Sequence, residues 1–184
     1  MELNKDLYRS KPIYLREMQD DDITDRYLSW FKNDQVTRFL EIKDLTYESV
    51  KEYINHGRET CTYFMYAICL ITNDLHIGNL KIGPIDRKHM VSDLVTVIGD
   101  TSYWAMGIAT EAIKLGSKIA FKVYDIRKLS GDIYSENIGS VKAYTKAGWT
   151  IEAVLKGHAI VNGKVMDRIF VSCFNPRYFN DQHS

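Results

Sequence analysis

Two short stretches hold residue types that can bind an anion and move a proton. In Trp104–Thr110 (WAMGIAT) the chain passes through Gly107 and the small Ala109 and Thr110 just where a helical pattern begins. The first N–H groups of a helix have no intrahelical partner, and the helix dipole adds partial positive charge there. A phosphate reaches such amides only where the surrounding side chains are small. Met106, Gly107, Ile108, Ala109 and Thr110 are therefore candidate phosphate donors. The same residues also suit a plain tight turn, and spacing leaves both readings open. A GxGxxG dinucleotide fingerprint is absent.

Downstream, Asn137, Ser140 and Tyr144 follow at i, i+3 and i+7. On a helix they project from one face, within roughly a sixth of a turn. An amide, a hydroxyl and a phenol there can hold a polar chain and deliver a proton. Their bland alternative is a helix cap, a solvent-facing serine and a core tyrosine. His89 and His158 have suitable intrinsic acidity but no motif around them.

These groups need elements to position them. PIYLREM (12–18) alternates like a strand, and Asp20-Asp21-Asp22 offers helix-starting residues. Thr46 can cap a helix over TYESVKEYINHG, with Gly57 as its stop. Strand patterns follow at 61–71, at HIGNLKIGPI and at DLVTVIG (93–99), an antiparallel meander. The helix opening at Gly107 and running to Val123 carries an apolar face wide enough to lie on a sheet. RKLSGDIY (127–134) is a strand, Asn137–Gly148 a helix, and WTIEAVL a strand. Asn162-Gly163 marks a type I′ hairpin before KVMDRIFVSCF. The order predicts an α/β (α+β) protein, helices covering a mixed, mostly antiparallel sheet of six to seven strands.

Composition bounds the rest. The chain has 184 residues, 45% of them hydrophobic, enough for one core. Its 24 basic and 24 acidic residues balance, which argues against nucleic-acid or anionic-membrane binding. Cys61, Cys69 and Cys173 lack metal-ligand spacing and read as reduced core thiols of a cytoplasmic protein; no metal is expected. No apolar run reaches membrane-spanning length, and the N-terminus lacks a signal-peptide core.

WAMGIATEA followed by NIGSVKAYTKAGW resembles the GNAT superfamily of N-acetyltransferases, whose motifs are (Q/R)xxGx(G/A) and N..S...Y.K.GF. The resemblance runs from about Pro12 to Phe174 and is closest to the branch of ribosomal-protein N-terminal and spermidine acetyltransferases. VTRFLE, HIGNLKIGPID and AIVNGKVMDRIF are also similar to bacterial enzymes that acetylate amino sugars. One departure is Trp104, where many members carry Gln or Arg.

The resemblance implies a single N-acetyltransferase domain over residues 1–184, with acetyl-coenzyme A as co-substrate and direct transfer to a small-molecule amine. A homo-oligomer is left open. It implies that the strand ending at Ile98 and Gly99 splays from its neighbour, and it places that strand end, residues 106–110, and Asn137, Ser140 and Tyr144 against the coenzyme. It gives Tyr144 the role of acid toward the departing thiolate. Asp93 has the spacing of the catalytic glutamate in histone-type members, and Glu41 the region where polyamine acetylators recruit the amine. An amino sugar, free or nucleotide-linked, is slightly favoured as acceptor; a polyamine, a protein N-terminus, or a non-catalytic coenzyme-binding module are the alternatives.

Overall fold

The alternation at the N-terminus becomes β2 (Ile13–Glu17), with Ile13 and Leu15 buried, beside a two-residue strand β1 (Arg9–Ser10). The computed structural model describes residues 5–41, 45–161 and 163–179. The acidic run forms a 3-10 turn, and α1 (Asp25–Trp30) starts only after Thr24, whose hydroxyl accepts from the Tyr27 N–H. A short α2 (Asp34–Thr37) follows. Thr46 caps α3 (Tyr47–Thr60) as expected, in a reciprocal box with Ser49. Gly57 is not its stop. It is buried inside the helix against the Tyr63 ring, and the helix ends at Cys61, which adopts the left-handed conformation.

The meander is present as β3 (Phe64–Leu70), β4 (His76–Asp86) and β5 (Val91–Ile98). Then come α4 (Ile108–Val123), β6 (Lys128–Tyr134), α5 (Ile138–Lys146), β7 (Thr150–Val161), β8 (Lys164–Phe174) and α6 (Pro176–Phe179). The strands form one sheet in the order β1-β2-β3-β4-β5-β6-β8-β7. It has eight strands rather than six or seven, because β1 is too short to carry a readable pattern. Every neighbouring pair is antiparallel except β5–β6. At the last hairpin Val161 pairs with Lys164 and Gly163 has φ 76°; Asn162 lies outside the described residues.

Two apolar clusters sandwich the sheet. Ile108, Ala112, Leu115 and Ile119 of α4 pack with Leu80, Leu94 and Leu129. Tyr27, Trp30, Val36, Val50 and Ile54 from α1–α3 pack with Met65 and Val97. Successive strand residues point to opposite faces, so Leu94 and Val97 belong to different clusters on one strand. No helix among the described residues is long and apolar enough to cross a membrane.

Candidate active site

The site begins where two strands part. β5 and β6 pair in parallel at Val91–Lys128, Ser92–Leu129 and Asp93–Ser130, and no further. β5 continues to Ile98 on its β4 side, and β6 continues to Tyr134 on its β8 side. Between them the sheet forks. Along β5 the main-chain polar groups of alternate residues face opposite neighbours. The even-numbered Leu94, Thr96 and Ile98 therefore present theirs to the open fork.

Tyr144 fills the base of that fork. Its side chain is buried, stands edge-on to Trp149, and donates from its phenol to the Leu94 carbonyl at 2.7 Å. Burial pushes the phenol above the usual tyrosine range; the Thr96 hydroxyl and N–H beside it pull partly back, against a further rise from the Asp93 charge. The Thr96 hydroxyl lies beside the phenol. It is the one buried side-chain polar atom among the described residues that lacks a partner. Higher up the same edge, the Trp104 indole N–H donates to the Ile98 carbonyl at 2.8 Å.

The loop leaving β5 leads into the N-terminus of α4. Gly99 lies directly under the Trp30 ring, where a Cβ would stand 2.1 Å from a ring carbon. Asp100 caps the 3-10 turn Thr101–Tyr103 and pairs with Arg26 at 2.6 Å. Gly107 caps α4 at φ 79°, and beyond its two chain neighbours no atom lies within 4 Å of where its Cβ would be. The Glu111 N–H makes the first helical bond, to the Gly107 carbonyl. Ile108, Ala109 and Thr110 thus carry N–H groups with no helical partner. Met106 and Gly107 are exposed beside them. The Glu111 carboxylate is taken up by Ser10 at 2.6 Å and Lys114 at 2.9 Å.

On α5 the expected shared face divides. The Asn137 side-chain oxygen accepts from the Ser140 N–H at 3.2 Å, so Asn137 serves as the cap, and both residues are half-buried. Only Tyr144 of the three turns into the fork.

The carboxylates sit at two levels. Asp93 belongs to the last parallel pair, at the fork's base, and accepts from the Ser130 hydroxyl at 2.6 Å. Glu41 is exposed and accepts at 2.8 Å from Tyr134, the last residue of β6, on the opposite arm from Ile98. Burial, then the Glu41 hydrogen bond, push the Tyr134 phenol up. The Arg168 guanidinium lies 4.2 Å over the Tyr134 ring and pairs with Asp132. Arg38 pairs with Glu136 at 3.1 Å. Among the described residues Glu41 has no cationic partner.

His89 is exposed in the turn that precedes β5, and His158 lies on β7, an edge strand of the sheet. Cys69 is buried and Cys173 half-buried, but Cys61 is exposed at the end of α3, not a core strand residue.

Residues 13–150 match the acetyltransferase (GNAT) domain family. The chain belongs to this family. It is similar to the probable N-acetyltransferase YjcK of Bacillus subtilis (strain 168), 23% identical over 92% of this chain and 98% of that one. It is also similar to the spermidine N(1)-acetyltransferase of Escherichia coli (strain K12), 24% identical over 90% and 81%. The solved spermidine N-acetyltransferase of Vibrio cholerae, in complex with coenzyme A and spermine, shares the fold. Its TM-score is 0.82 at 17% identity, covering 93% of this chain and 100% of that one.

As a GNAT acetyltransferase the chain has to accommodate acetyl-coenzyme A, and its residues fit. The partnerless Thr96 hydroxyl and open strand edge suit an amide-bearing chain. The free N–H groups of α4, with empty space beside Gly107, suit phosphates. Sequence reasoning missed Thr96, the Leu94 carbonyl and Tyr134. The first two carry no chemical signal of their own; Tyr134 ends a strand directly before the Asn137 motif, and that place could have flagged it.

Proposed function

We propose that this acetyltransferase acts on a small primary amine of the polyamine class. The observation that carries this is Glu41: a carboxylate at the fork's mouth, held by Tyr134, with no cation among the described residues to neutralise it. The neighbouring Arg38 and Arg168 are already paired with acids. An alkylammonium is the complementary ligand. The similarity to a spermidine acetyltransferase supports the same choice.

The amino-sugar expectation has weaker support. HIGNLKIGPID, one of its carriers, is β4 in the middle of the sheet, largely buried, so that likeness reflects packing. Arg38, within VTRFLE, is tied to Glu136 and not free for a phosphate.

In this reading Thr96 and the main-chain edge up to Ile98 and Gly99 hold the pantetheine arm, and the N–H groups from Met106 to Thr110 the pyrophosphate. Bound there, acetyl-coenzyme A supplies the electrophilic thioester. Glu41 draws in one ammonium of the acceptor, and Asp93 takes the proton of the attacking nitrogen. Tyr144, kept protonated by burial, holds a proton at Oη for the departing sulfur. Asn137 and Ser140 act through the shape of the α5 N-terminus.

The test is thiol release from acetyl-coenzyme A with spermidine, spermine, 4-amino-sugar nucleotides, and alanine- or serine-led peptides. Polyamines should give the highest kcat/KM. A sugar nucleotide or peptide that exceeds them overturns the acceptor assignment. Coenzyme A binding with no amine-stimulated release would favour a binding module.

A further inference from the structure

We infer that Trp104 is a positioning residue for acetyl-coenzyme A. Its indole N–H ties the anion-binding loop to the open edge of β5 and so fixes the spacing between the two halves of the coenzyme seat. The inference rests on the coenzyme reading above and not on the identity of the acceptor.

The seat is divided between two elements. One half is the edge of β5 at Leu94, Thr96 and Ile98; the other is the N-terminus of α4. The segment 99–107 joins them, and its two parts are held differently. The first part is pinned by Asp100, which bonds Ser102 and Arg26, and by Tyr103, packed on the main core. The second part, Ala105–Gly107, is exposed and bends twice through positive φ, 60° at Ala105 and 79° at Gly107. Among the described residues, the Trp104–Ile98 bond is the one side-chain hydrogen bond tying 104–107 back to β5.

The tie also shapes the strand edge. Two ring donors from different elements cap the carbonyls at its ends, Tyr144 on Leu94 and Trp104 on Ile98. Thr96 lies between them with its hydroxyl unpartnered. A ligand amide is thereby directed to Thr96, at a set distance from the free N–H groups of α4. A loop that holds this geometry beforehand needs no ordering when the coenzyme arrives, which is how preorganisation raises affinity. Trp104 works through the backbone, by reaching back to the strand.

Trp104→Phe keeps an aromatic ring and removes the N–H; Trp104→Gln replaces it with an amide donor. Coenzyme A affinity is read by titration calorimetry on the whole chain. Trp104→Phe should bind about tenfold more weakly, the scale of one lost hydrogen bond. The KM for acetyl-coenzyme A should rise in parallel, with kcat and the KM for the amine within about twofold, and Trp104→Gln should recover part of the affinity. A fluorescence readout is independent of turnover. Trp30 and Trp149 are buried while Trp104 is 42% exposed, so coenzyme A should change the wild-type emission more than that of Trp104→Phe. If wild type binds coenzyme A and Trp104→Phe binds equally or more tightly at an unchanged melting temperature, the positioning role is wrong. If wild type itself fails to bind, the coenzyme reading has failed first.

Discussion

The Tyr144 phenol stands 2.7 Å from the Leu94 carbonyl and occupies the place that a β6 backbone N–H would take if the parallel ladder continued past Asp93. One side chain thus does two things. It satisfies a strand edge that the fork leaves open, and it puts a phenolic hydrogen at the fork's base. The two roles separate on mutation.

Tyr144→Phe leaves the Leu94 carbonyl without a donor, so unfolding in urea should show a loss of about 1–3 kcal/mol. If the phenol is the acid, kcat should also fall about 100-fold, with coenzyme A affinity within about twofold. Burial raises the phenol's pKa, so it stays protonated through the working range, and no alkaline limb from Tyr144 should appear below pH of about 10. An unchanged kcat at every pH assigns the residue to structure alone.

Gly107 tests the other half of the seat. At φ 79° an L-residue costs about 1–2 kcal/mol, although there is room for its Cβ. That room lies beside the free N–H groups of α4, where a phosphate would sit. Gly107→Ala should therefore lower stability by roughly that amount and raise the KM for acetyl-coenzyme A, leaving the amine KM unchanged. A stability loss with no change in coenzyme affinity identifies Gly107 as turn geometry only.

At the mouth of the fork, Glu41→Gln removes the charge and keeps the shape, while Tyr134→Phe removes the hydrogen bond and keeps the ring. The first should raise the polyamine KM by about tenfold and the second by less, both with acetyl-coenzyme A KM unchanged. Raising salt should weaken wild type toward the Glu41→Gln value, since the carboxylate is exposed. Equal amine KM values in all three proteins exclude Glu41 as the anchor.

What the sequence made legible follows from local rules. Gly107, Thr46 and Asn137 were readable because caps and helix starts are set within a few residues. The meander was readable from apolar runs and turns. The fork came with the family resemblance and from no local rule, since it depends on β6 crossing back beside β5 and then ceasing to pair at Ser130. No residue near Asp93 signals that the ladder stops there. The division of labour on α5 was hidden for a related reason. Spacing placed Asn137, Ser140 and Tyr144 on one face, but whether that face meets ligand or core is decided by Leu94, which arrives from β5, and by how the turn after α5 folds Trp149 back onto Tyr144. Trp104 looked like a broken motif because its partner, the Ile98 carbonyl, is a backbone group that every residue possesses.

The layer bearing α1 is fastened to the sheet by a charge pair, and that gives a prediction about acid. Both terminal nitrogens of the Arg16 guanidinium donate to Asp22 at 2.6 Å, and the Gln19 N–H adds a third bond at 2.8 Å. Burial acts to raise the Asp22 carboxyl, but the Arg16 and Gln19 bonds outweigh it and hold the group below its ordinary value. A carboxyl depressed on folding contributes stability above its unfolded pKa of about 3.9, and loses it as pH falls through the folded pKa. Asp22→Asn should therefore melt well below wild type at pH 7, by about 1–3 kcal/mol, since Arg16 is left without its carboxylate. The gap should narrow as pH drops below about 4, where wild type protonates the same group. Melting curves taken at intervals from neutral to acid pH check this. A gap of constant size across that range would mean that Asp22 supports the fold by shape and not by charge.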